Sequence, residues 1–247
     1  MNTTSGFSQW IPYCGPGPGP AEWFARWNFD PLLITALTLF LLAALRFAPD
    51  RKASHTGAAL AVLVLFVSPI CALGSALFSV RVGHHAALML VLAPLLVISL
   101  GLHKRALPSL TVLTAIQAAV IWLWHAPGLY AAALSSDLLF WTMQITITAS
   151  AAVWWARLRQ AHASAAVTAL LATMVQMGAL GALLTFAGRA FYAPHFLTTS
   201  LWGLSPLEDQ QIGGLVMWVV AAAAYLLIAV TLLYRSLEPE ARPGTGT

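Results

Sequence analysis

His85 and Met89 stand four positions apart in the stretch VGHHAALMLVLAPLL (82–96), which apart from His84 is otherwise almost without polarity. On a helix that spacing puts an imidazole and a thioether on one face, about 6 Å apart along the axis. His125 in WLWHAPG, His195 in FYAPHFLTTSLWG and a second thioether, Met143, stand near the ends of other apolar runs. Imidazole with thioether or thiolate is the ligand set that favours copper, Cu(I) above all, over hard cations. The principal metal-ligand candidates are therefore His85, Met89, His125 and Met143, with His84, Cys14, Cys71, His195 and Asp209 as weaker ones. Each has a plainer reading. A methionine in an apolar helix is commonly packing material, and a histidine near a membrane surface often only hydrogen-bonds to loops or headgroups. His84 is turned about 100° from the Met89 face. Cys14 and Cys71 are open to pairing as a disulfide, which spacing alone does not decide.

The elements that must position these residues are membrane helices. Of 247 residues, 60% are hydrophobic and 8% charged, where a soluble domain carries about 25% charged residues. Apolar runs of spanning length fall at about 31–48, 57–79, 84–102, 107–126, 137–156, 164–187 and 210–234. The expected fold is all-α, a polytopic bundle of seven transmembrane helices. Nine of the twelve Lys and Arg residues follow the odd-numbered runs; only Arg26, Arg81 and Arg189 do not. That bias places the N-terminus outside and the C-terminus in the cytoplasm, and the cations between spans give no reason to expect a nucleic-acid partner. The expected organisation is an outer-surface segment over 1–30, the bundle over 31–235 and a cytoplasmic tail over 236–247. The first thirty residues lack the basic and apolar regions of a signal peptide, so the first run is expected to direct insertion.

The seventh run opens SPLEDQQIGGLVMW. Ser205, Pro206 and Glu208 make a capping box with proline at the first helical position. Asp209 is left over; a carboxylate at the membrane edge is expected to face the bundle, with Arg81 or Arg189 as partner. Gln210 shares that inward face, and Gly213 and Gly214 admit a neighbouring helix closely. Glycine-rich phosphate loops, catalytic Ser/His/Asp patterns, paired carboxylates at depth and redox CxxC pairs are all missing, so no enzymatic role is read here.

In order along the chain, HHAALMLVLAPLL, WLWHAPGLYAAAL, GALLTFAGRAFYAP and above all LWGLSPLEDQQIGGLVMW resemble the CtaG family of cytochrome c oxidase assembly factors, over roughly residues 28–235. The resemblance implies a multi-pass protein of a bacterial cytoplasmic (inner) membrane, with the lipid bilayer and a cytochrome c oxidase subunit, or another respiratory complex, as partners. It implies copper handling, with the family's His–Met pair on His85 and Met89, its Trp–His on Trp124 and His125, and its Asp–Gln on Asp209 and Gln210. One departure lies in the fifth run. The family's Glu–His pair, eleven residues before a Trp–Trp, falls here on Thr142 and Met143. Three roles follow in order: a copper-delivering assembly factor or chaperone, an accessory subunit of a respiratory complex using LEDQQIGG and the tryptophan-rich rim for contacts, and a haem- or quinone-binding membrane protein.

Overall fold

The computed structural model describes residues 12–237 and contains no strand among them; most of the predicted tail and the first eleven residues lie outside the described residues. The helices are α1 (Pro31–Phe47), α2 (Pro49–Val67), α3 (Ile70–Ala76), α4 (Phe78–Leu100), α5 (Leu110–Trp124), α6 (Pro127–Ala133), α7 (Asp137–Leu158), α8 (Ala163–Thr185) and α9 (Pro206–Leu237). Of these, α4, α7, α8 and α9 are long and apolar enough to cross a membrane. The bent pairs α1–α2 (115°) and α5–α6 (76°) raise that number to six when each pair is taken as one span.

α4 is the hub, packing against α2, α7 and α9, while α5 touches α7 and α8, and α8 runs along α9. α1 leans on α2 from outside and has no buried residue. Its Leu32, Leu39 and Leu42 are exposed, as lipid-facing side chains of a membrane protein are. Asp30 starts this helix by accepting from the Leu32 and Leu33 N–H groups at 2.8 and 3.3 Å. Pro31 at the first position loses nothing, because its missing N–H would have had no partner there.

The second and third runs are not where the apolar pattern places them. α2 ends at Val67 and α4 begins at Phe78, so residues 68–77 form a break holding only the short α3. Proline is the cause. The end of α2 widens so that Ser68 N–H reaches Leu63 O at 2.8 Å, an i→i+5 bond. In that pattern Val64 O would be served by residue 69, which is proline; the Ser68 hydroxyl serves it instead, at 2.5 Å. Ser68 is itself extended, as a residue before proline prefers to be. Hydrophobicity cannot register this break, because the residues around it remain apolar.

The same device recurs inside α4. Ala93 N–H bonds to Leu88 O, again i→i+5, and Met89 O, whose partner would be Pro94, is left without a backbone donor. The Trp155 indole N–H of α7 takes that carbonyl at 2.8 Å. A helix defect thus becomes an α4–α7 tie beside Met89.

Candidate metal-binding site

Because α4 starts at Phe78, His84 and His85 lie not at the mouth of a span but about 10 Å inside it, at 1.5 Å per residue. Both are buried. His125 follows α5, where Pro127 forces the 76° turn into α6, and its ring is brought to 5.5 Å from that of His85, nearly perpendicular. His125 Nδ1 is 2.7 Å from Ile121 O. A carbonyl only accepts, so Nδ1 carries the proton and Nε2 presents a lone pair. That Nε2 has no partner, and neither ring nitrogen of His84 or His85 has one. At the opposite end of the bundle the buried His55 is satisfied on both sides, by Ser99 Oγ at 2.6 Å and Ala48 O at 2.9 Å. Buried polar groups are normally paired; the unpartnered imidazoles are among the exceptions here, with Arg81 Nη1 and Nη2, Ser75 Oγ and Tyr225 Oη, and they are the ones whose free nitrogens can bind a metal. A ring fixed by a carbonyl on one nitrogen with the other free is the arrangement of a metal-binding histidine.

The remaining candidates divide. Met89 is fully buried one turn beyond His85, and its sulfur accepts from the Gln117 amide at 3.9 Å. Met143 is fully buried on α7, while Thr142 beside it is exposed, its hydroxyl returned to Leu138 O at 2.7 Å. His84 packs edge-on to Phe66 at 5.0 Å, behind His85. His195 is buried, with Tyr130 Oη 2.7 Å from its Nε2, and burial lowers its pKa to about 3, so it is neutral. Among the described residues, no three His, Cys, Asp or Glu side chains gather as a metal site.

The two cysteines are not ligands in this fold. Cys14 and Cys71 form a disulfide with Cα atoms 5.4 Å apart, which removes the thiolates from the candidate set and ties the N-terminal segment to α3. That segment and the 186–205 loop roof the histidines. Tyr13 packs against Phe140 and Trp141, each at 5.1 Å. Tyr192 stacks on Phe78 at 3.9 Å and donates to His125 O at 2.9 Å. The Trp202 indole donates to Pro18 O at 2.9 Å, joining the two parts of the roof.

Asp209 is fully buried but is not paired with Arg81 or Arg189. Its carboxylate accepts from the Phe78 and Ser79 N–H groups at 2.6 and 3.2 Å and from the Ser79 hydroxyl at 2.5 Å. It caps α4 from another helix, and the donors at a helix N-terminus replace the expected cation. Gln210 does the same for the roof, accepting from Phe191 N–H at 2.7 Å and donating to Arg189 O at 3.3 Å. The capping box of Ser205 and Glu208 is present, with Pro206 at the first position. Arg81 instead donates to Gly74 O at 3.1 Å and lies over the Phe140 ring at 5.2 Å. Gly213 faces the Phe78 ring, and Gly214 lies against Gly181 and Thr185 of α8.

Residues 38–238, a stretch that includes the imidazole pair and the Asp–Gln clamp, match the family model described as cytochrome c oxidase caa3 assembly factor. The chain belongs to this family. No curated protein and no solved structure matches it. Family membership makes it a membrane protein of oxidase assembly, and in this member the Asp–Gln pair of the LEDQQIGG motif fastens α4 and the roof around the imidazoles. Sequence reasoning missed Gln117, Tyr130 and Tyr192 as the residues around the site. Gln117 alone carried a signal, as an amide in the middle of an apolar run.

Proposed function

We propose that this assembly factor receives Cu(I) as cargo between His85 and His125 at the outer face of a bacterial cytoplasmic membrane and passes it to a cytochrome c oxidase subunit. The observation that carries the reading is the free Nε2 of His125 beside the unpartnered His85 ring, 5.5 Å between centroids. Met89 supplies a thioether one turn deeper, needing no deprotonation to bind. Arg81, always charged, stands one turn before His85 on α4. A buried positive charge there penalises a divalent ion about twice as much as a monovalent one, which favours Cu(I). The outward orientation belongs to a seven-span reading with α1 and α2 crossing separately. The nine cations beyond the odd-numbered runs support it, as does a disulfide at the histidine end, since disulfides persist on the oxidising side.

The accessory-subunit reading keeps less of its contact surface, because Asp209, Gln210, Gly213 and Gly214 are occupied within the chain, while Ile212, Trp27, Trp122 and Trp218 stay exposed. The deciding experiment is His85→Ala and, separately, His84→Ala, with Cu(I) retention of the purified protein and the yield of copper-loaded oxidase as readouts. The expected result is loss of both with His85→Ala and a smaller effect with His84→Ala, the protein remaining in the membrane. Unchanged copper content and oxidase assembly in His85→Ala would overturn the proposal.

A further inference from the structure

Among the other buried polar groups without partners, one lies beside a cavity away from the histidines. Gln144 on α7 is 1% exposed, and neither its amide nitrogen nor its amide oxygen has a hydrogen-bond partner. It lines an apolar cavity of about 380 Å³ between α1, α2, α4 and α7, walled by Leu33, Phe66, Leu96, Trp141 and Thr148. The volume is within the range of small-molecule sites. Phe66 and Trp141 stack on one another at 5.2 Å and form an aromatic wall. The exposed Ile145 stands at the rim, on the side turned to lipid.

The geometry points to a binding site for a membrane-soluble ring that carries a carbonyl or hydroxyl group, the chemistry of a quinone or quinol. Depth decides against a phospholipid chain. Gln144 is seven residues along α7 from Asp137, about 10 Å below the end of the helix, and at that depth an acyl chain offers only methylenes. An acyl chain would leave both amide atoms unpaired in hydrocarbon, where an unmet polar group costs most. Once the Gln144 side chain, whose amide end is covered, turns into the cavity, a ring carbonyl accepts from the amide nitrogen or a ring hydroxyl donates to the amide oxygen, and the ring lies against the aromatic wall. Phe66 touches the cavity on one side and the His84 ring on the other, so this site backs onto the imidazole cluster but shares no ligand with it.

The test uses the full chain in phosphatidylcholine nanodiscs, titrated with decylubiquinone and, in parallel, with decylbenzene, which has the tail and a ring but no oxygen. Saturable binding of decylubiquinone is expected, weakened about tenfold in Gln144→Leu by loss of the buried hydrogen bond, and lost in Ala149→Phe, which fills the cavity from its rim. Without added ligand, Gln144→Leu is expected to melt at a higher temperature than the wild type, since an unpaired amide has been replaced by an apolar side chain. Cu(I) retention is expected to be unchanged in both variants, which separates this result from the copper reading. Decylubiquinone binding equally to wild type and Gln144→Leu, decylbenzene binding as tightly as decylubiquinone, or non-saturable partitioning alone would each overturn the proposal, the second in favour of a lipid chain.

Discussion

Asp209 is a buried carboxylate whose partners are the Phe78 and Ser79 N–H groups and the Ser79 hydroxyl rather than an arginine. Opposite charge is the obvious answer in sequence; the N-terminus of a helix 130 positions away cannot be seen there. Removing it strands the Phe78 and Ser79 N–H groups, and leaving buried donors unmet costs about 1–3 kcal/mol. Asp209→Ala is therefore expected to lower the thermal midpoint in detergent, and Asp209→Asn, which keeps one accepting oxygen, to recover part of the loss. An unchanged midpoint in Asp209→Ala would mean the cap contributes nothing. His195 carries a pH prediction. Its pKa is lowered from the ordinary 6.5 to about 3 by burial, so an opened roof takes up the proton before the closed one does. Closure is then most stable above pH 6.5 and weakens as the pH falls toward 3, by at most about 1.4 kcal/mol per pH unit. Hydrogen-exchange protection of residues 192–199, corrected for the intrinsic pH dependence of amide exchange, is expected to fall between pH 7.5 and 5.5, and to do so less in His195→Asn.

At the scale of elements, the α8–α9 crossing rests on the absence of side chains. A Cβ on Gly214 would meet Gly181 O at 2.6 Å and Thr185 N at 2.7 Å, both backbone atoms that cannot swing aside. A Cβ on Gly83 of α4 would meet nothing within 4 Å. Gly214→Val is expected to abolish accumulation or sharply lower the melting temperature. Gly83→Ala is expected to be neutral or stabilising by up to about 1 kcal/mol, since alanine loses less freedom in a helix. Equal tolerance at both positions would contradict this packing. The boundaries of α2 and α4 belong to the same scale. Pro69 and Pro94 are visible in the sequence, but whether each ends a helix or only widens it depends on who takes the freed carbonyl. Ser68 takes one locally, and Trp155 takes the other from across the bundle.

At the scale of the whole molecule, the Cys14–Cys71 bond spans 57 positions and holds the N-terminal segment over the imidazoles. Closing a loop of that length stabilises by about 4 kcal/mol in the chain-entropy model. Both cysteines are expected to resist maleimide unless first reduced, and Cys14→Ser is expected to lower the thermal midpoint and speed Cu(I) exchange with a soluble chelator. Labelling of both thiols without reductant would remove the tether from the account.

The sequence by itself determined that this is a helical membrane protein with soft, copper-favouring side chains near one end of its apolar runs, because hydropathy and residue chemistry are local properties written residue by residue. It also carried the capping box of Ser205 and Glu208, whose two partners lie three positions apart. Only the tertiary structure decided that Cys14 meets Cys71, that Asp209 caps α4, that His85 meets His125, and that Gln144 is left unpaired beside a cavity. Each of these depends on where a residue far along the chain comes to rest. Proline breaks and glycine crossings set those positions, and their geometric consequences appear only when the helices are packed.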